Sequence, residues 1–277
     1  MEFIETISSM RRCREGLKEP VGFVPTMGFL HEGHLSLVRQ AKADNASVVV
    51  SIFVNPSQFG PGEDLECYPR NIPRDLALLA DEGVGIVFSP KPAEVYPPGF
   101  STWISVEGLS DRLEGLSRPG HFRGVATICL KLFNLVCPTR AYFGQKDAQQ
   151  VRVINRMISD LNLNIDLVTM PTIRESDGLA LSSRNVYLSS RERKAAPVLL
   201  RSLCLAHGKW RSGELDAHIL RSEMLALIET EPLVKIDYIS IADYETLTEQ
   251  EIVGAQTLVS LAAFVGNTRL IDNIILE

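Results

Sequence analysis

The chain is short of cysteine and has no Cys-x-x-Cys pair: Cys13, Cys67, Cys129, Cys137 and Cys204 are dispersed and odd in number. That pattern excludes a disulfide framework and points to a reducing, cytoplasmic setting. No apolar run approaches the roughly 18 residues that would mark a membrane-spanning helix. Met1 leads into Glu2 and Glu5, not into a basic stretch followed by an apolar one, so neither a secretory signal nor a membrane partner is expected. Positive charge is scarce too. A formal net charge of −6 argues against broad nucleic-acid binding and leaves any phosphate to be held by a local pocket. Internal repeats are absent, and so is a recognisable Ser-His-Asp or Cys-His nucleophile arrangement.

What is present is an ordinary globular composition, 45% apolar and 22% charged over 277 residues, enough for one large α/β domain or two of usual size. Strand-like runs at 21–24, 47–54, 84–88, 140–143 and 164–169 alternate with helix-like stretches after 34 and over 72–82, 122–136 and 149–161. Parallel strands need such crossovers, so residues 1–176 are expected to form an α/β, Rossmann-like doubly wound parallel sheet. Beyond about Leu188 the alternation gives way to a charged helix over 191–211, a helix near 215–229, and strands at 236–240 and 258–261. Residues 177–277 are therefore expected to be a smaller C-terminal α+β domain acting as a lid, with 177–187 as its hinge.

The segment Pro25-Thr26-Met27-Gly28-Phe29-Leu30-His31-Glu32-Gly33-His34 joins the first of these strands to a helix. A helix start presents free N–H groups and the positive end of the dipole, which favour an anion, and histidines three apart share a face. Gly28 lets the turn form, and Gly33 lets a ligand come close. Histidines that only cap the helix, or that bind zinc, are competing readings; Glu32 is misplaced for His-Glu-x-x-His, and no third ligand is near. Three more loops carry unusual chemistry. In Asn55 to Asp64, prolines restrict the chain so that Gln58 can be held as a fixed amide, able to donate and accept, although taken alone it reads more readily as a surface residue. In Phe143 to Gln150, Lys146 concentrates positive charge at a helix start and Asp147 caps that helix or meets a ribose hydroxyl, unless the two are an exposed pair. In Gly178 to Asn185, Ser182, Ser183 and Arg184 form a compact phosphate clamp. Loops of an open parallel sheet converge beyond the carboxyl ends of its strands.

The ordered motifs are Pro-Thr-Met-Gly-x-Leu-His-x-Gly-His at 25–34, Asn-Pro-x-Gln-Phe at 55–59, Glu-Asp-Leu-x-x-Tyr-Pro-Arg at 63–70, Arg-Pro-Gly-His-Phe-Arg-Gly-Val at 118–125 and Leu-Ser-Ser-Arg-Asn at 181–185. In them the sequence resembles the pantothenate synthetase (pantoate–beta-alanine ligase) family over essentially its whole length. His-x-Gly-His alone would indicate only the wider superfamily of nucleotidyltransferases and class I aminoacyl-tRNA synthetases. The resemblance implies ligation of (R)-pantoate and β-alanine to pantothenate, with ATP as substrate together with Mg²⁺, and release of AMP and pyrophosphate through a pantoyl adenylate. It implies an ATP site made of Met27, Gly28, Phe29, Leu30, His31, Glu32, Gly33, His34, Gly144, Gln145, Lys146, Asp147, Ile173, Leu181, Ser182, Ser183 and Arg184. Among these His34, His31, Lys146 and Arg184 carry the chemistry, with His34 as proton donor toward phosphate.

Gln58, Gln150 and Met27 are implied for pantoate, and Gln58 for β-alanine. No protein metal ligand is assigned, although Asp75 and Asp147 are acids that Mg²⁺ could meet. Gln145 stands where the family commonly has glutamate, keeping the size and losing the charge. A homodimer is the family expectation. Two rival functions remain at this stage. An adenylyltransferase would need a second anion site, which Gln58 and Gln150 do not supply, and a non-catalytic nucleotide-binding module would have no use for the extra loops.

Overall fold

In a computed structural model, which describes residues 1–277, the run Val21, Phe23 and Val24 is fully buried, as a strand covered by helices on both faces must be. It belongs to a unit formed by Met1–Gln145 and Gln150–Pro171. In chain order this unit holds β1 (Glu2–Ile4), α1 (Ile7–Glu15), β2 (Val21–Thr26), α2 (Glu32–Asp44), β3 (Ser47–Ile52), α3 (Ile72–Asp81), β4 (Ile86–Phe88), α4 (Pro92–Val95), α5 (Glu114–Ser117), α6 (His121–Val136), β5 (Arg140–Gly144), most of α7 (Ala148–Asp160), and β6 (Asp166–Met170). The six strands are parallel, in the order β1-β4-β3-β2-β5-β6.

The order reverses between β2 and β5, so Thr26 and Gly144 end the two strands that flank the switch point, where ligands of open α/β sheets bind. The core on one side of the sheet unites Val24, Val50 and Val87 with Leu37, Val38 and Ala41 of α2 and Leu79 of α3. Each such valine or leucine, once buried, stabilises the fold by about 1.5–3 kcal/mol. On α6, Phe133 meets Phe23 and Phe143 edge to face, with ring centroids 6.2 and 6.5 Å apart. Asn71 starts α3 by accepting from the Arg74 N–H at 3.1 Å, which aims the first turn and its Asp75.

The second unit comprises Lys146–Gln149 and Thr172–Glu277, so it begins before the expected hinge at 177 and takes in the start of α7. Here α8 (Ser190–Ala195), α9 (Val198–Arg211) and α10 (Ala217–Ile228) accompany an antiparallel sheet β7-β8-β9, with β7 at Val234–Asp243, β8 at Thr257–Val265 and β9 at Thr268–Leu276. One expectation is corrected, and three elements are new. The single helix over 191–211 is two helices, because Pro197 has no N–H to continue the first and instead caps the second. The strand β9 was not expected at all, and β1 and α1 were likewise unassigned. Leu199, Leu203, Leu220, Met224, Leu261 and Val265 form the core of this unit. No helix of either unit is long and apolar enough to cross a membrane.

Candidate active site

The turn after β2 depends on left-handed backbone: Gly28 has φ +82° and Phe29, a non-glycine, has φ +49°. Two groups hold it. Thr26 Oγ1 donates to the Ser51 carbonyl at 2.8 Å and accepts the Gly28 N–H at 3.1 Å. Asp75, fully buried, receives the Phe29 N–H at 2.7 Å and the Leu30 N–H at 2.8 Å. Burial pushes the Asp75 carboxyl above its usual range, and those two backbone bonds pull part of the way back. A side chain at position 28 would not fit, since its Cβ would lie 2.9 Å from Ile52 Cγ2 and 3.1 Å from Asp75 Oδ2. Asp75 thus has both carboxylate oxygens engaged by the main chain of the turn. No group of three or more His, Cys, Asp or Glu side chains in the structure is arranged to hold a metal ion.

The fixed turn delivers His31 and His34 to the first turn of α2. Their rings lie 4.0 Å apart, tilted by 35°. The His31 N–H donates to His34 Nδ1 at 3.3 Å, so a neutral His34 ring carries its proton on Nε2. Within the same segment Leu30 is 1% exposed and packed in the core, and its backbone is engaged as well, the N–H by Asp75 and the carbonyl by Arg74 Nη1 at 2.9 Å, so it supports the turn from within. Glu32 is paired with Arg39 on the surface, and Arg39 also meets Glu82 at 2.6 Å.

Gln58 ends a 3₁₀ turn at Pro56–Gln58 after β3 and is 8% exposed. Its amide is oriented from both ends: Nε2 donates to Met27 Sδ at 2.9 Å, and Oε1 accepts from Asn55 Nδ2 at 3.1 Å. Asn55, 1% exposed, also donates to the Gly124 carbonyl and accepts from Tyr96 OH at 2.8 Å. Helix α6 can come this close only because position 124 is glycine, where a Cβ would fall 2.3 Å from the Ser57 carbonyl oxygen.

The Gln58 carbonyl is held in turn by His121 Nδ1 at 2.7 Å and Arg118 Nη2 at 3.3 Å. A carbonyl only accepts, so His121 Nδ1 must carry the proton, and Nε2 is left to accept from Arg118 Nη1 at 3.2 Å. Only the neutral ring satisfies both contacts. Burial first, and the Arg118 charge second, push its pKa down to about 4, so it stays neutral. Arg118 grips Glu63 through Nε at 2.9 Å and Nη2 at 2.6 Å; burial would raise the Glu63 carboxyl, but the Arg118 bonds and charge leave it below its usual range. In the sequence Arg118 and His121 stand out only as motif members, and Asn55 and Tyr96 have no assigned role. In this unit Gly144 and Gln145 lie at the end of β5, and Gln150, half-buried, lies in the first turn of α7.

In the second unit, Lys146 and Asp147 occupy a 3₁₀ turn at Gln145–Asp147, with Lys146 Nζ 3.7 Å from Asp147 Oδ1. A hairpin is closed by the Leu181 N–H to the Ile173 carbonyl at 3.0 Å and the Glu175 N–H to the Leu179 carbonyl at 2.8 Å. Its tip turns at Gly178, φ +94°, with the Asp177 carboxylate accepting the Leu179 N–H. Arg193 of α8 clasps Asp177 at 2.5 Å and Glu175 at 2.7 Å. Ser182 then caps a 3₁₀ turn at Ser183–Tyr187 by accepting the Arg184 N–H at 3.2 Å. The hairpin therefore presents Ile173 and Leu181 at its base, immediately before Ser182, Ser183 and Arg184.

The family model described as pantoate-beta-alanine ligase matches residues 2–275. A pantothenate synthetase of Roseiflexus castenholzii is 56% identical over 277 residues, all of both chains. Among solved structures, pantothenate synthetase from Thermus thermophilus aligns with a TM-score of 0.95 at 47% identity, over 100% of this chain and 99% of the other. Pantoate-beta-alanine ligase from Francisella tularensis, complexed with beta-gamma ATP and beta-alanine, aligns with a TM-score of 0.82 at 34% identity, over 99% and 97%. The chain belongs to the pantoate–beta-alanine ligase family, the pantothenate synthetases.

Proposed function

We propose that this enzyme joins (R)-pantoate to β-alanine at the expense of ATP, giving pantothenate, AMP and pyrophosphate by way of a pantoyl adenylate. The observation that carries the reading is the buried Gln58 amide, oriented from both ends beside Met27, on the loop after the strand next to the one whose turn carries His31 and His34. In the first step a pantoate carboxylate oxygen attacks the α-phosphorus. A new P–O bond forms as the bond to the bridging oxygen breaks, and the electron pair leaves on pyrophosphate. The nucleophile is already anionic, so the protein has to align it and offset charge, not to create it. His34, helped by His31, donates toward the departing phosphate oxygen. Lys146, Ser182, Ser183 and Arg184 share the triphosphate charge.

Gln58, Gln150 and Met27 take pantoate, because amides can both donate to and accept from its hydroxyls, and Gln58 also borders β-alanine. Mg²⁺, when bound, neutralises phosphate charge and travels with ATP; half-exposed Asp147 is the side chain of this chain that suits it. In the second step the neutral amine of β-alanine attacks the acyl carbon, the C–O bond to AMP breaks, and the amine gives up a proton. Water would compete for the adenylate, and its exclusion is the role assigned to the C-terminal unit. A cytoplasmic homodimer completes the reading, on the strength of the dispersed thiols and the family. The test is an omission series with ATP, Mg²⁺, pantoate and β-alanine, following AMP and pantothenate. AMP formation should require pantoate, and AMP formed equally well without pantoate would overturn the reading.

A further inference from the structure

Asp272 and Asn273 are consecutive polar residues in the middle of β9, 3% and 5% exposed. Buried polar side chains cost stability unless bonded, and asparagine and aspartate are poor strand formers, so both residues carry a penalty that their contacts must offset. Alternation along a strand sends the two side chains to opposite faces of the sheet. Asp272 takes both arms of the Arg174 guanidinium, at 2.6 and 2.9 Å, and Arg174 also donates to the Gly178 carbonyl at 3.1 Å. Asn273 donates Nδ2 to the Lys146 carbonyl at 2.9 Å. The Asn273 N–H donates to Asp272 Oδ1 at 2.8 Å, tying the pair together. The middle of one strand thus holds two segments far from it in sequence: the turn that carries Lys146 and the hairpin that carries Ile173 and Leu181.

We propose that Asn273 is a positioning residue for Lys146. By anchoring the lysine's main chain it fixes the origin of a four-carbon side chain that would otherwise sweep a wide volume, so the ammonium is presented to ATP phosphate with little ordering left to do. Asp272, through Arg174, does the same for the hairpin. The inference rests on the assignment of Lys146 to the phosphates, and the experiment separates the two. Pantoate-dependent pyrophosphate release in a single turnover is compared with aminolysis of supplied pantoyl adenylate by β-alanine, for the parent, Asn273→Asp, Asn273→Ala, Lys146→Ala and the Lys146→Ala/Asn273→Asp double variant. The ratio of the two rates does not depend on how much of a variant is folded.

Loss of the bond should slow pyrophosphate release about tenfold, the kinetic equivalent of one hydrogen bond, and leave aminolysis within about twofold. In the Lys146→Ala background, Asn273→Asp should change the ratio no more than about twofold, because the residue being positioned is gone. Equal slowing of both steps, or an Asn273→Asp effect of full size without the lysine, would overturn the positioning role. A Lys146→Ala enzyme with the parent's rate of pyrophosphate release would overturn the assignment of the lysine itself.

Discussion

Replacing Asp75 with asparagine tests the claim that the turn after β2 is held by a buried carboxylate. Asp75 accepts two backbone N–H groups, from Phe29 at 2.7 Å and Leu30 at 2.8 Å, and is wholly excluded from solvent. Asparagine has one acceptor oxygen. Its amide nitrogen would face the other N–H, leaving a buried donor unsatisfied at a cost of about 1–3 kcal/mol, and the bond that survives would lose its charge assistance, roughly 1 kcal/mol more. Removing a carboxylate that burial disfavours returns part of this. Arg74 lies 3.6 Å from Asp75, but its side chain is 46% exposed and contributes little to the balance. The expected net loss is about 2–3 kcal/mol, concentrated where Gly28 and Phe29 hold left-handed backbone.

Amide hydrogen exchange read by mass spectrometry over residues 28–31 reports that opening directly. Protection in Asp75→Asn should fall by about 30- to 100-fold, since each 1.4 kcal/mol is a factor of ten. Protection within about threefold of the parent would refute the reasoning.

Two further outcomes follow from the Gln58 side of the site. Gly124→Ala would place a Cβ 2.3 Å from the Ser57 carbonyl oxygen and 2.8 Å from Gln58 Cα, so the turn must shift away from α6. The KM for pantoate should rise about tenfold while overpacking costs about 1–3 kcal/mol, and an unchanged pantoate KM would separate Gln58 from that substrate. For His121, the folded pKa of about 4 lies below the ordinary 6.5, so the unfolded chain binds the proton more readily between those values. Stability contributed by this group is complete above 6.5 and is lost as pH falls toward 4. His121→Asn should flatten that part of a urea-midpoint profile against pH, and a profile parallel to the parent's would contradict the neutral, buried assignment.

The βα alternation was legible because buried parallel strands such as Val21 to Val24 and Val48 to Val50 must be apolar on both faces. The turn itself was legible for a related reason: Gly28 at a strand-to-helix junction marks the left-handed backbone found there. What held these residues was not. Asp75 stands out in the sequence only as an acid that Mg²⁺ could meet, and nothing local tells that it reaches back 45 residues to the Leu30 N–H. The strand β9 was missed because Asp272 and Asn273 interrupt its apolar pattern, and each is offset by a partner about 100 residues or more away, Arg174 or the Lys146 carbonyl. β1 escaped notice since it has three residues, with Glu2 and Phe3 exposed. Sequence periodicity reports the environment of a side chain, whereas these interactions depend on which distant segments the fold brings together.

The central claim, that pantoate is activated by attack on the α-phosphorus, is tested most directly with pantoate carrying ¹⁸O in its carboxylate. The account predicts that one labelled oxygen passes to the phosphate of AMP as pantothenate forms, because the oxygen that attacks phosphorus stays with AMP when the amine displaces it. Label found in inorganic phosphate alongside ADP, or AMP formed without label, would contradict it.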